Sequence, residues 1–347
     1  MAEANARSRV GVAVQVAVLG ALTLGSLAWA GWGMDLRATL AAAAGFDLRW
    51  ALPMTVCLFG TLFLRVLRFR LLLDHPVDNR GMLGVTAIGF LAINVVPLRM
   101  GEFVRPFLLA ERHGSPFGLA LAALFMERLL DLSALMVLLA IIGGFVQLPP
   151  AGMHIGELDL LVAGQRAAGA AVSGGLVGIV VLAIAGPPGV AWVSRWAARV
   201  SPALGGLVER LGGRFVQGFR ALGARPAKAV AAVAITAALW GTTIGVVGCG
   251  LAGMPGMRAD ATAAGTTWAA TMTAMALVPT PGFVGSFEAG VVAGATVVGI
   301  AADPARAFAV LLHGAMLGFT VVCGIVALLV EGVSLAQVVR DSRANAA

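Results

Sequence analysis

Three groups of residues in this chain place charge or broken backbone inside apolar surroundings. The first is Arg99, Glu102 and Arg105. Spacings of three put all three on one helical face. They follow Asn94, Pro97 and Gly101, where proline removes a donor and glycine permits a tight turn. A helix beginning near Gly101 aims its first N–H groups at that break. Together with two guanidiniums it makes a site for a phosphate or a carboxylate. The competing reading is an ion network that only holds the segment together. Asn94 is expected to tie its amide to the broken backbone.

The second group is Glu127, Arg128 and Asp131. Offsets of four and three place two acids and one base along one stripe of a long apolar helix. The acidic surplus needs a cation, and Arg99 or Arg105 is the expected partner. Such a network can be structural, functional or both. The third group is Pro279, Pro281, Gly282, Gly285 and Glu288. Glu288 is the only charge between Asp260 and Asp303. A lone buried carboxylate holds a proton or finds a cation; ion coupling and pairing between segments are the two readings, and pairing is favoured. His313, inside the last apolar run, is read as a packing residue before a proton relay.

No catalytic set is visible. There is no H-E-x-x-H, P-loop, nucleophile elbow or Cys/His metal spacing, and Cys57, Cys249 and Cys323 are far apart. No metal, cofactor or enzymatic activity is expected.

The elements that hold these residues must be membrane helices. Of 347 residues, 59% are hydrophobic and 12% charged, with a mean hydropathy of +0.94. Soluble domains carry about 25% charged residues. The net charge of +7 would suit nucleic acid, but the basic residues sit in short loops between apolar runs. That is the positive-inside pattern, and nucleic acid is excluded as a partner. Lys228 is the only lysine and tyrosine is absent, so an interfacial aromatic belt must use tryptophan.

Loop charges set the topology. Arg7 and Arg9 put the N-terminus in the cytoplasm, and a first helix runs from Val10 to about Trp32. A second runs from Trp50 to about Leu73 and ends in the basic residues Arg65, Arg68, Arg70 and Arg80. The runs Met82–Val96 and the segment ending at Glu111-Arg112-His113 are each short, and both ends read as cytoplasmic. That describes a re-entrant hairpin, tolerated where protein or a wet cavity surrounds the broken backbone. A helix from Pro116 to about Val146 crosses outward, and one from Leu160 to Ala185 returns. Residues 190–228 read as a basic amphipathic connector on anionic lipid. A helix from Ala229 to about Leu251 precedes a second broken pair, Thr262–Val278 and Ser286–Ile300. The last helix, Ala305–Val330, returns to a cytoplasmic C-terminus.

The expected fold is an all-α polytopic membrane protein with about six spanning helices and two re-entrant hairpins. Residues 50–147 and 229–331 then form an inverted repeat within a single membrane domain, 1–347. The alternative is eight or more simple spans.

With these motifs in view, the chain resembles the lysylphosphatidylglycerol synthase transmembrane region family, also described as flippase-like membrane proteins. The likeness rests on "NVVPLRMGEFVRPFLLAERHG", "FMERLLDLSAL", "LVPTPGFVGSFEAG" and the Arg-rich "LRVLRFRLLL". It implies a lipid-handling protein of the stand-alone kind, without the transferase domain of the fused members. It carries over to Pro97, Arg99, Gly101, Glu102, Arg105, Glu127, Arg128, Asp131, Pro279, Pro281, Gly282, Gly285 and Glu288. Two departures stand out. The family often has Gly-Gly after the second proline, where Phe283 replaces the second glycine. It often has arginine in the last helix at the place of His313, which puts a shared headgroup contact there in doubt.

The expected function is translocation of a polar-headed or phosphate-bearing lipid between the leaflets of the bacterial cytoplasmic membrane by alternating access. The expected partners are the membrane lipid itself and a lipid-synthesis enzyme; the sequence sets no oligomeric state. Rival readings are a scaffold for a lipid or glycolipid synthesis enzyme and a small-solute or ion-coupled transporter.

Overall fold

A computed structural model describes residues 44–73, 75, 77–95, 101–145, 154–155, 158–159, 181, 185–223, 225–278 and 280–332. The helix expected over Val10–Trp32, most of the return helix over Leu160–Ala185, the residues Pro97, Arg99 and Pro279, and the C-terminal Arg340 and Arg343 lie outside the described residues.

The described chain is helical. Helix α1 spans Ala51–Leu73, α2 Asn79–Val95, α3 Val104–His113 and α4 Phe117–Phe145. Residues 185–200 form α5. Then come α6 (Pro202–Gly223), α7 (Pro226–Gly253), α8 (Ala261–Leu277), α9 (Ser286–Val297) and α10 (Ala302–Glu331). A two-residue antiparallel pairing, His154↔Asp159 and Ile155↔Leu158, lies between α4 and α5.

The boundaries have local causes. Proline opens α6 and α7, where its missing N–H costs nothing. Asp260 caps α8 by accepting the Ala263 N–H at 2.8 Å. Gly114 and Gly332, at φ 62° and 65°, follow α3 and α10 in the left-handed conformation that closes helices. The expected connector over 190–228 is divided: α5 stops before Ser201-Pro202 and α6 restarts at Pro202.

Among the described residues two helices, α7 with 28 residues and α10 with 30, are long and apolar enough to cross a membrane; at 1.5 Å per residue they reach about 42 and 45 Å. Helices α1 and α4 are of similar length, but each carries three charged residues in its interior: Arg65, Arg68 and Arg70 on one, Glu127, Arg128 and Asp131 on the other. Along α1, Leu52, Val56, Phe59 and Phe63 are all more than half exposed. They recur at helical spacing on one stripe, a surface that suits lipid and not water. By contrast α3 and α9, with 10 and 12 residues, reach only about 15 and 18 Å and cannot cross about 30 Å of hydrocarbon.

The chain divides into two compact units. One comprises residues up to 60, 83–105 and 242 onward. Here α8 and α9 form a close-packed hairpin. A Cβ placed on Gly290 would lie 2.5 Å from the Thr271 Cα, and one on Gly294 2.6 Å from the Thr267 Cα. The G-x-x-x-G spacing thus lets two backbones touch, as small residues do between membrane helices. Gly101, in the turn before α3, approaches the Ala92 backbone of α2 in a similar way. Helix α10 lies along α9 and receives Leu91 of α2 at Gly324.

The other unit comprises residues 61–82 and 106–241. Val190 of α5 and Val216 of α6 are buried together, with Phe125 and Leu129 of α4 packed against them. Trp192, Trp196 and Val200 of α5 are exposed, and the Arg199 guanidinium lies 4.2 Å over the Trp196 ring.

Candidate functional site

Two charged clusters sit inside helices, one in each unit. The first is centred on Arg68 of α1. Its Nη1 donates to Asp131 Oδ1 at 2.7 Å and its Nη2 to Asp131 Oδ2 at 3.0 Å. This is the parallel two-bond fork that guanidinium and carboxylate planes favour. Its Nε donates to Glu127 Oε1 at 3.4 Å, and Nη1 also reaches Thr236 Oγ1 at 3.3 Å. Thr236 passes its own hydroxyl proton to Ala232 O at 2.7 Å, which leaves its oxygen free to accept. Trp240 Nε1 donates to Asp131 Oδ1 at 3.4 Å.

Helical spacing builds this cluster. Glu127 and Asp131 are four apart on α4, and Thr236 and Trp240 are four apart on α7, so each helix offers one stripe to the same guanidinium. Arg68 and Glu127 are 2% and 3% exposed, while the side chains of Asp131 and Arg128 are 25% and 41% exposed. The cluster therefore grades from a sealed floor at Glu127 to an open edge at Arg128, whose Nη1 is 3.9 Å from Asp131 Oδ2. Arg65, one turn before Arg68, adds a third guanidinium within electrostatic range of both carboxylates. Inside a membrane each charge costs about 2.5–3.5 kcal/mol unless it is paired. Here the charges of α1 are answered by those of α4.

The second cluster joins the α8–α9 turn to α10. His313 Nδ1 lies 2.6 Å from Glu288 Oε1, and His313 Nε2 lies 3.1 Å from the Gly282 carbonyl oxygen. Glu288 Oε2 accepts the Gly285 N–H at 2.7 Å, which caps α9. The Phe287 ring stacks on the imidazole at 4.5 Å. Gly282, Phe283 and Gly285 all have positive φ, at 60°, 58° and 86°. Pro281 opens the single 3-10 turn that contains the first two. Phe283 thus adopts a conformation that glycine takes freely.

Arg105 is 1% exposed. Its aliphatic stem crosses Gly89 of α2, where any Cβ would collide with it. Its guanidinium lies 5.3 Å from the Phe90 ring centroid, a cation–π distance. Glu102 is half-buried in a 3-10 turn over 101–103 that precedes α3, so the helix starts at Val104 and not at Gly101. Asn94 donates its amide to Phe90 O at 2.8 Å, one turn back in its own helix. The main-chain oxygen of Asn94 faces Gly282, 3.4 Å from where a Cβ would be. The ends of the two helical hairpins therefore touch.

Sequence reasoning assigned Arg99 or Arg105 as the cation for Glu127 and Asp131. Arg99 lies outside the described residues, and the structure places Arg68 on both carboxylates. In the sequence Arg68 stands with Arg65, Arg70 and Arg80 at a basic helix end. The available signal was position: Arg68 is followed by an apolar run through Leu71, Leu72 and Leu73 within the same helix. Thr236 and Trp240 carried no signal. Glu288 and His313, read separately, are partners. Among the described residues no group of His, Cys, Asp and Glu could hold a metal ion.

Apolar helices long enough to span, lipid-facing stripes and charges paired inside helices define an all-α integral membrane protein. The family described as lysylphosphatidylglycerol synthase TM region matches residues 12–324, and the chain belongs to that family. No curated protein and no solved structure matches it.

Proposed function

We propose that this protein moves a polar-headed, phosphate-bearing lipid between the leaflets of the bacterial cytoplasmic membrane. The observation that supports this most is the graded Arg68 cluster. Three guanidiniums, Arg65, Arg68 and Arg128, surround two carboxylates, Glu127 and Asp131. The surplus positive charge and the open Arg128 edge suit a lipid phosphate. The carboxylates offer contacts to a cationic headgroup. Membership of a family tied to lipid synthesis fits the same chemistry.

In this reading the chain is a transporter and not an enzyme, with both termini cytoplasmic. The short hairpins α2–α3 and α8–α9 are re-entrant, six helices span, and alternating access comes from rocking of two inverted repeats. The lipid arrives from a synthesis enzyme that acts as partner.

The test is lipid translocation in proteoliposomes, with a fluorescent phospholipid and an aqueous quencher. Arg128→Gln keeps the buried Arg68 fork and should slow translocation about tenfold or more, since one charge-assisted phosphate contact contributes about 1.5–3 kcal/mol. Wild-type rates in both Arg128→Gln and Glu127→Gln would remove the cluster from the lipid path.

A further inference from the structure

We propose that Glu288 and His313 form a binding site for a single proton, and that its occupancy fastens the α8–α9 turn to α10. The proton count follows from the partners. A carbonyl oxygen only accepts, so the His313 Nε2 facing Gly282 O at 3.1 Å carries hydrogen. Glu288 Oε2 is engaged as acceptor by the Gly285 N–H. What remains is His313 Nδ1 against Glu288 Oε1 at 2.6 Å. Two lone pairs cannot face each other at that separation, so one proton lies between them. Whether it sits on nitrogen or oxygen, the pair is neutral overall. Its removal leaves one negative charge and a neutral imidazole with one N–H for two acceptors; the carboxylate is the stronger acceptor, so the hydrogen stays on Nδ1 and the Gly282 carbonyl loses its donor.

Among the described residues, little other charge surrounds this pair. The side chains of His313 and Glu288 are 9% and 15% exposed, and Phe287 covers the imidazole face. Helix α8 contributes no titratable side chain, and α9 contributes only Glu288. On α10 the other titratable groups are Asp303, Arg306, Cys323 and Glu331. Arg306 pairs with Asp303 at 2.6 Å about 10 Å along the helix from His313. From the first hairpin, the Arg105 guanidinium lies over Phe90, and from α7 the nearest such side chain is the Cys249 thiol beside Gly250, which packs on Phe308.

The mechanical consequence centres on Gly282. Its carbonyl is held by His313, and its Cα faces the Asn94 oxygen at the end of the first hairpin. Three bonds lie within the turn: Phe283 N–H to Thr280 O at 3.0 Å, Ser286 Oγ to Phe283 O at 3.1 Å, and Thr280 Oγ1 with Ser286 Oγ at 3.0 Å. Proton release therefore unfastens the Gly282 carbonyl from α10, at the point where the two hairpins meet. This inference is independent of the lipid assignment.

The experiment is a titration of the full-length protein in lipid nanodiscs, with 15N-histidine and 13C-glutamate labels. The chain has four histidines, and His313→Gln and Glu288→Gln assign the two signals. The expected result is that the His313 ring nitrogens and the Glu288 carboxyl carbon titrate together, with one midpoint. The Gly282 carbonyl carbon, read in a 13C-glycine sample and assigned with Gly282→Ala, should shift with the same midpoint as its hydrogen bond to His313 is lost. In Glu288→Gln the His313 signal should titrate at a different pH. Independent midpoints, absence of titration between pH 4 and 10, or an unchanged Gly282 carbonyl shift across the midpoint would each overturn the proposal. The wild-type titration decides the matter even if a variant does not fold.

Discussion

Arg68 and Asp131 are 63 residues apart in sequence, and two parallel hydrogen bonds of 2.7 and 3.0 Å join them inside the protein. Glu127, one helical turn from Asp131, shares the same guanidinium and is 3% exposed. A buried pair of this kind is costly to form and costlier to break. Removing one partner strands the other charge, while removing all partners together relieves the desolvation cost.

Arg68→Met should therefore destabilise the protein by about 3–5 kcal/mol. The combined variant Arg68→Met, Glu127→Gln, Asp131→Asn should recover most of that loss and still fail to move lipid. Thermal unfolding in detergent, paired with the proteoliposome assay, checks both. A single variant as stable as the combined one would show that the pairing does not hold α1 to α4.

Phe283 has φ 58°, a region that costs a non-glycine residue about 1–2 kcal/mol. Comparison of Phe283→Gly with Phe283→Ala separates this strain from loss of the ring, because both remove it. The glycine variant should be the more stable by about 1 kcal/mol. Equal melting temperatures would mean that the turn relaxes at no cost.

Gly290 and Gly294 bring the α9 backbone against that of α8, with Thr271 and Thr267 Cα atoms inside the reach of any added Cβ. Gly290→Val should separate the helices and cost several kcal/mol, in the range of severe overpacking. Gly314 of α10, whose added Cβ would meet nothing within 4 Å, is the control, and Gly314→Ala should leave the melting temperature nearly unchanged.

Asp260 lies in the loop before α8. Its hydrogen bond from Arg258 and the Ala263 N–H it accepts hold its carboxyl below the usual carboxylate range. With the folded value depressed, its contribution to stability is complete above the ordinary carboxylate pKa of about 3.9. It is lost as pH falls through the lower folded value. Asp260→Ala should cost about 1 kcal/mol at neutral pH and little near pH 2. A difference between wild type and variant that persists at pH 2 would contradict the assignment.

Much of the architecture was legible in the residues alone. The apolar runs and their proline and glycine breaks located α1, α2, α4, α7, α8 and α10 to within a few residues. Helix formation and membrane insertion depend on local pattern, and a lone charge in an apolar run is costly wherever the chain goes. Hence Glu127, Asp131 and Glu288 could be singled out without coordinates. Partner choice depends on which helix faces meet, and a one-residue spacing does not encode that. Only the tertiary structure decided that Arg68 answers Asp131 and Glu127. It also decided that His313 answers Glu288, and that Phe283 occupies a glycine's conformation. Each of these joins segments separated along the chain, or fixes a backbone angle that packing around the turn imposes.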